Sequence, residues 1–258
     1  MLKAENLEKS FGDTDALSGI NLKVREGEIV GLLGPNGAGK TTTMQILSGL
    51  MKADSGNISL DGSLKEDVSV VFQETEYSSK MKVREFLNMM AVLNENRDNM
   101  DKIMEAVGLQ DYSKTFVGNL SGGNKKKMNM ASGLLKDPMY LLLDEPMAGL
   151  DPRARKDVRN LIQEFSSNHG VLVSTHSMEE AKNICDKVVI IENGEEILTG
   201  DPNELISRID SDFVIKAEGT VPKGFESDAT ISEGFFELKT DKPDQVVRKL
   251  VESGEIDE

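Results

Sequence analysis

The sequence predicts an α/β protein built around a mostly parallel β-sheet. Short, nearly continuous apolar runs recur along the chain, as expected of strands that are covered on both faces. These runs are residues 29–33, 68–72, 140–143, 171–173 and 188–191. Helical patterns lie between several of them, and crossover helices are what connect parallel strands. The 258 residues, 38% of them hydrophobic, supply enough material for one large core.

The N-terminal segment has a different pattern. Ile20, Leu22 and Val24 alternate with polar residues, which is the period of a half-exposed antiparallel strand. We therefore expect an antiparallel N-terminal subdomain in front of the parallel core.

Between about residues 74 and 135 the sequence predicts a helical insertion. Its clearest apolar face repeats at helical spacing and consists of Val83, Phe86, Leu87, Met90 and Ala91. A second helical face stops at Gly108, which suits a helix C-terminus. We interpret the methionines of this region as core packing rather than as a binding surface.

The last part of the chain, 206–258, is predicted to be a small α+β appendage to the main domain, 1–205. Strand-like patterns at 213–217 and 235–238 are followed by a helix at 243–251. Four residues, 255–258, remain after the glycine that caps that helix, Gly254, too few to complete a sheet. We expect a loosely closed unit and a natural chain that continues past residue 258.

Composition excludes some functions. A formal net charge of −15 disfavours nucleic-acid binding, which relies on a positive surface. No apolar run is long enough to span a membrane, and the N-terminus lacks the apolar stretch of a signal peptide. We therefore expect a cytoplasmic protein. The single cysteine, Cys185, is predicted to be a buried small hydrophobe.

A phosphate-binding loop follows the first core strand. Its sequence is GPNGAGKTT, comprising Gly34, Pro35, Asn36, Gly37, Ala38, Gly39, Lys40, Thr41 and Thr42. Glycines at this spacing let backbone N–H groups converge on phosphate oxygens at a helix N-terminus. Lys40 is expected to bind the β- and γ-phosphates, and the hydroxyl of Thr41 to bind Mg²⁺.

Two acidic residues, Asp144 and Glu145, follow the apolar run 140–143. Carboxylates at the C-terminal end of a buried parallel strand lie where α/β sheets bind their ligands. We expect Asp144 to assist Mg²⁺ binding and Glu145 to polarise an attacking water molecule.

Several further motifs resemble those of the ATP-binding cassette (ABC) ATPases, which are P-loop NTPases. The segment LSGGNKKKM resembles their signature motif through Leu120, Ser121, Gly122, Gly123 and Asn124. Gln73 matches the Q-loop, Asp151 the D-loop and His176 the H-loop, while Phe11 resembles the aromatic residue on which adenine stacks. Together with the phosphate loop, these motifs stand in the family's order.

The resemblance implies an ATPase with ATP and Mg²⁺ as cofactors. Two subunits, as a homodimer or a heterodimer, would meet head to tail and enclose each ATP between the phosphate loop of one and the signature of the other. The catalytic residues would be Glu145, His176, Gln73 and Lys40, and the Mg²⁺ ligands Thr41, Gln73 and Asp144. The partners would be integral-membrane permease subunits, with this chain peripheral at the cytoplasmic face.

Overall similarity to exporter-associated cassettes favours export. Two alternatives remain open: a soluble ABC ATPase acting on DNA or ribosomes, and a regulatory cassette that binds ATP without hydrolysing it. The first usually has long coiled coils or tandem cassettes, which this chain lacks. Glu145 and His176 argue against the second.

Three consecutive lysines, Lys125, Lys126 and Lys127, follow the signature. Successive helical positions are turned by about 100°, so the three cannot share one solvated face. One interpretation directs at least one lysine toward the dimer interface or the nucleotide. The alternative is three flexible side chains that all reach solvent.

Overall fold

The computed structural model describes residues 1–73, 78–209, 213–218, 229–232 and 235–240. The chain divides into two compact units, Met1–Pro202 and Asn203–Glu258. The boundary predicted after residue 205 falls within a helix, Pro202–Ile209. Among the described residues no helix is long and apolar enough to cross a membrane.

Strands and helices alternate through the larger unit. In chain order they are β1 (Leu2–Phe11), β2 (Thr14–Val24), β3 (Ile29–Leu33), α1 (Lys40–Leu47), β4 (Ser55–Ser59), α2 (Leu64–Asp67), β5 (Val68–Val71), α3 (Val83–Leu93), α4 (Met100–Ala106), α5 (Gly122–Leu134), β6 (Tyr140–Leu143), α6 (Pro152–Ser166), β7 (Gly170–Thr175), α7 (Met178–Ile184), β8 (Lys187–Glu192) and β9 (Glu195–Gly200). The next helix, α8 (Pro202–Ile209), begins at the last residue of the larger unit and otherwise belongs to the smaller one.

The central sheet has six strands in the order β5-β6-β7-β3-β8-β9. The first five are mutually parallel, and β9 pairs antiparallel with β8 at the edge. The predicted parallel core is confirmed, whereas β9 was not predicted. Leu33 pairs with Thr175 and Leu143 with Val173. The C-terminal ends of β3, β6 and β7 therefore lie side by side and can bring the residues that follow them together.

The second sheet of this unit is antiparallel, in the order β2-β1-β4, which confirms the predicted N-terminal subdomain. Ile20, Leu22 and Val24 point into the same buried hydrophobic cluster as Leu32 of the central sheet and Met44 of α1. Burial of this apolar surface, worth about 25 cal/mol per Å², holds α1 and the preceding loop in place.

The predicted helical insertion is confirmed by α3, α4 and α5. Val83, Phe86, Leu87 and Ala91 of α3 are buried, so this face packs as core. The chain leaves the second helix of the region at Gly108, whose φ of 67° lies in the left-handed region.

The smaller unit contains a three-stranded antiparallel sheet in the order β10-β12-β11. Its strands are β10 (Phe213–Glu218), β11 (Ala229–Ser232) and β12 (Phe235–Thr240). The two predicted strands are confirmed, and β11 was missed. Phe236 and Leu238 are buried. The predicted helix at 243–251 and the predicted unfinished end at 255–258 lie outside the described residues.

Candidate active site

The phosphate loop connects β3 to α1. The helix begins at Lys40, because Gly39 takes the N-cap position with a left-handed φ of 101°. A Cβ at Gly39 would lie 2.7 Å from the carbonyl oxygen of Ala16. Glycine is therefore required at this turn both by conformation and by space.

Lys40 is only 6% exposed, and its ammonium group has three acceptors. It donates hydrogen bonds to the carbonyl oxygens of Gly34 at 2.7 Å and of Pro35 at 3.0 Å. It also lies 3.4 Å from Oε1 of Glu145. A buried ammonium is tolerated only where it is paired in this way, and these contacts fix the lysine at the mouth of the loop.

Asp144, directly after β6, is linked to helix α1 and to the neighbouring strand β7. Its Oδ2 accepts a hydrogen bond from the Thr41 hydroxyl at 2.8 Å. Its Oδ1 accepts one from the Ser174 hydroxyl of β7 at 2.5 Å. The two residues predicted to hold Mg²⁺ through a hydroxyl and a carboxylate are thus in direct contact.

The next residue, Glu145, has an unusual backbone. Its φ of 47° lies in the left-handed region, which is unfavourable for a residue with a Cβ. The Glu145 N–H donates to the Ser174 hydroxyl oxygen at 2.9 Å. This turn directs the carboxylate toward both Lys40 and His176, whose Nδ1 lies 3.0 Å from Glu145 Oε2.

A cavity of about 190 Å³ opens over these groups. It is lined by Ala16, Asn36, Gly37, Gly39, Lys40, Thr41, Thr42, Gln73, Asp144 and Glu145. Residues of the phosphate loop, Gln73 of the Q-loop and the acidic residues after β6 are far apart in sequence, but they line the same cavity.

The oxygen groups of Thr41, Gln73 and Asp144 fit the preference of Mg²⁺ for hard oxygen ligands. The described residues contain no group of three or more His, Cys, Asp or Glu that could hold a metal. Such a group is unnecessary here, because Mg²⁺ that accompanies a nucleotide needs only one or two carboxylates beside phosphates and waters.

The signature residues do not line this cavity. Ser121 caps α5 by accepting a hydrogen bond from the Asn124 N–H at 3.3 Å, and Leu120 is buried. Gly122 and Gly123 form the first turn of the helix, with Ser121 and Gly122 exposed. The N-terminus of α5 thus presents its N–H groups on the surface, as an anion-binding helix end does.

Asp151 and Phe11 also lie outside the cavity lining. Asp151 caps α6, with its Oδ1 accepting hydrogen bonds from the N–H groups of Arg153 and Ala154, both at 3.0 Å. The Phe11 ring, at the end of β1, is 50% exposed, and the ammonium of Lys9 lies 5.7 Å from its centroid. The ring therefore has an accessible face for stacking.

The three lysines after the signature separate into different environments. Lys126 donates to the carbonyl oxygens of Gln73 at 3.1 Å and of Glu145 at 3.3 Å. Lys127 pairs with Asp157 of α6 at 3.2 Å. The interpretation with three flexible side chains in solvent is wrong, because Lys126 is hydrogen-bonded to two carbonyl oxygens of its own chain. Contact of a lysine with the dimer interface or the nucleotide stays a prediction.

Sequence reasoning missed two residues of the site. Ser174 joins Asp144 to the backbone of Glu145, and a hydroxyl at the end of an otherwise apolar buried strand was the available signal. Ala16 lines the cavity from β2, and no sequence pattern marks an alanine for that role.

Comparison with known proteins identifies the family of the chain. Residues 17–148 match the profile of the family described as ABC transporter. An uncharacterised ABC transporter ATP-binding protein, YxlF of Bacillus subtilis, is 38% identical over 213 residues, covering 80% of this chain and 72% of the relative. The lipopolysaccharide export system ATP-binding protein LptB of Haemophilus influenzae is 34% identical, covering 80% and 93%. The sulfate/thiosulfate import ATP-binding protein CysA of Neisseria meningitidis is 33% identical, covering 86% and 69%.

Among solved structures, cbiO1 from Clostridium perfringens, part of the ABC transporter complex cbiONQ, superposes with a TM-score of 0.72. It is 31% identical, and the match covers 81% of this chain and 91% of that one. Sequence and fold therefore agree on the larger unit. The chain belongs to the ABC transporter family and is an ATP-binding subunit with the P-loop ATPase fold.

Proposed function

We propose that this subunit hydrolyses Mg²⁺-ATP in a head-to-tail dimer and thereby drives a separate membrane permease. The single observation that carries the proposal is the convergence on Glu145. Its carboxylate contacts the phosphate-loop lysine on one side and His176 on the other, over a cavity whose remaining walls suit a triphosphate. A regulatory cassette without turnover would have no need of this arrangement.

In the proposed reaction, Lys40 and the loop N–H groups bind the β- and γ-phosphates, and Thr41 with Asp144 holds the cation. Bound Mg²⁺ would neutralise charge on the phosphate oxygens. Glu145 orients and polarises the attacking water, while His176 holds that carboxylate and contacts the γ-phosphate. Phosphoryl transfer depends mainly on positioning and electrostatic stabilisation, which these contacts supply.

Dimerisation is supported by the position of the signature residues. Ser121 and Gly122 lie exposed at the N-terminus of α5 and outside the lining of their own subunit's cavity. A helix N-terminus stabilises negative charge, so we propose that it completes the site of a second subunit. ATP would then be part of the interface, and hydrolysis would open it.

We propose integral-membrane permease subunits as partners, which places the chain at the cytoplasmic face of the membrane. A relative of this chain, cbiO1, is part of a transporter complex. The matching relatives include both an export and an import protein. Export remains our proposal for direction, on the sequence similarities given above.

Glu145→Gln tests the proposed reaction. The amide cannot polarise water, whereas Lys40, Thr41 and Asp144 stay in place, so turnover should fall at least about 100-fold while ATP binding persists. Phosphate release measures turnover, and size-exclusion chromatography with Mg²⁺-ATP should show a stable dimer.

A matched control is Glu179→Gln, which makes the same chemical change on α7 outside the active-site cavity. It should retain normal phosphate release. Wild-type turnover by Glu145→Gln would exclude the catalytic role. An inactive Glu145→Gln variant that stays monomeric with ATP at high protein concentration would exclude the proposed dimer and leave the catalytic role intact.

A further inference from the structure

Lys126 connects two loops that the active site needs. Its ammonium group reaches the carbonyl oxygen of Gln73, at the C-terminal end of the β5 segment, and that of Glu145, after β6. Gln73 and Glu145 follow the parallel neighbouring strands β5 and β6. A single side chain from α5 therefore bridges the Q-loop and the loop of the catalytic carboxylate.

One of the two carbonyl groups that Lys126 contacts belongs to Glu145, whose backbone conformation needs support from its surroundings. Glu145 has a left-handed φ of 47°, and its carbonyl oxygen also accepts a hydrogen bond from the Ala148 N–H at 3.2 Å. A conformation of this kind persists only where the surroundings hold it. Lys126 adds a donor that carries a charge to that support, at 3.3 Å from the Glu145 carbonyl oxygen.

The same lysine belongs to the helix that starts at the signature. Ser121 caps α5 five residues before Lys126, about 7.5 Å along the helix axis. A shift of the α5 N-terminus would therefore reach Gln73 and Glu145 through Lys126, without passing through the phosphate loop.

We infer that Lys126 is a positioning residue, which sets the Glu145 carboxylate and the Q-loop according to the position of the signature helix in the same subunit. The inference rests on the catalytic role proposed for Glu145. It differs from an electrostatic contact of this lysine with a partner's triphosphate, because the acceptors are two backbone carbonyls of its own chain.

The test is Lys126→Met, which keeps most of the length of the side chain and removes the donor. Misplacing the carboxylate should lower kcat by about 10- to 100-fold. Since Lys126 does not line the cavity, KM for ATP should stay within about twofold of wild type. Lys126→Arg, which retains a cationic donor, should recover most of the loss.

Lys127→Met is the matched control. It removes the neighbouring lysine, whose partner is Asp157 of α6, and should leave kcat unchanged. Circular dichroism and binding of a fluorescent ATP analogue check that each variant is folded.

In a Glu145→Gln background, Lys126→Met should leave the ATP-dependent dimer intact. A salt-sensitive loss of that dimer would instead support contact with the partner's triphosphate and overturn the inference. The inference would also be overturned if Lys126→Met had a wild-type kcat or changed only KM. Equal losses of kcat in the Lys126 and Lys127 variants, or no recovery in Lys126→Arg, would overturn it as well. If Glu145→Gln itself retained turnover, the proposed reaction would fail first, so the two failures are distinguishable.

Discussion

Replacing Ser174 with alanine should destabilise the protein more than its small size suggests. Ser174 is fully buried, with 0% of its surface exposed. Its hydroxyl donates to Asp144 Oδ1 and accepts the hydrogen bond of the Glu145 N–H. The alanine variant loses both contacts at once, and no other residue changes.

The magnitude follows from these two contacts. A hydrogen bond to a charged group contributes about 1.5 to 3 kcal/mol, and a buried donor left unsatisfied costs about 1 to 3 kcal/mol. Because contributions within one network are not additive, we expect a loss of about 3 kcal/mol in the free energy of unfolding. For a unit of this size that corresponds to a melting temperature lower by about 6 to 12 °C.

Thermal unfolding of the nucleotide-free protein, followed by circular dichroism, measures the effect. Ser166→Ala is the control, because its hydroxyl donates only to the Gln163 carbonyl within α6, at 2.8 Å. This substitution should change stability by less than about 0.5 kcal/mol. Phosphate release by Ser174→Ala should also fall, since Asp144 and Glu145 are both less firmly held.

Equal melting temperatures for the two serine variants would refute the reasoning. They would mean that Asp144 and the Glu145 N–H find other partners at no cost, and that Ser174 does not organise the site.

Two further outcomes are expected. Cys185 is 8% exposed, and burial raises the pKa of its thiol from 9.0 to about 12, so iodoacetamide at pH 8 should label the folded protein far more slowly than the denatured one. Because the thiol ionises at a lower pH in the unfolded chain than in the folded protein, the free energy of unfolding should also fall as the pH rises from 9.0 toward 12. Rapid labelling of the native protein would contradict the burial of Cys185. Gly39→Ala introduces a Cβ 2.7 Å from the Ala16 carbonyl oxygen at a φ of 101°, and should weaken ATP-analogue binding at least about tenfold. Unchanged affinity in a fluorescence titration would show that the loop tolerates a side chain.

Much of this fold could be predicted from sequence because its signals are local. Strands covered on both faces appear as uninterrupted apolar runs, and the five parallel strands of the central sheet were identified in this way. The phosphate loop was recognisable because its backbone conformation requires glycine at fixed positions, and any sequence that forms the loop must have them. The position of Asp144 followed from the rule that parallel strands present their ligand-binding residues at their C-terminal ends.

The contacts that join the motifs could not be predicted, because they depend on strand order and helix rotation. Strand β7 lies between β3 and β6, and only this order brings Ser174 to Asp144. Likewise, helical spacing predicted that Lys125, Lys126 and Lys127 point in different directions, but it could not show which of them points toward the protein. That choice depends on how α5 packs against the sheet.

The conformation of Glu145 depends both on local backbone geometry and on contacts between elements that are far apart in sequence. A left-handed glutamate costs about 1 to 2 kcal/mol relative to an ordinary conformation, and no sequence pattern reveals it. It persists because its N–H is held by Ser174 and its carbonyl oxygen by Lys126 and the Ala148 N–H. These three contacts come from a strand, the signature helix and the local turn. The Glu145 carboxylate is therefore held against Lys40 and His176 by contacts from three different parts of the chain. On the inference drawn for Lys126, a shift of the signature helix would change the position of that carboxylate.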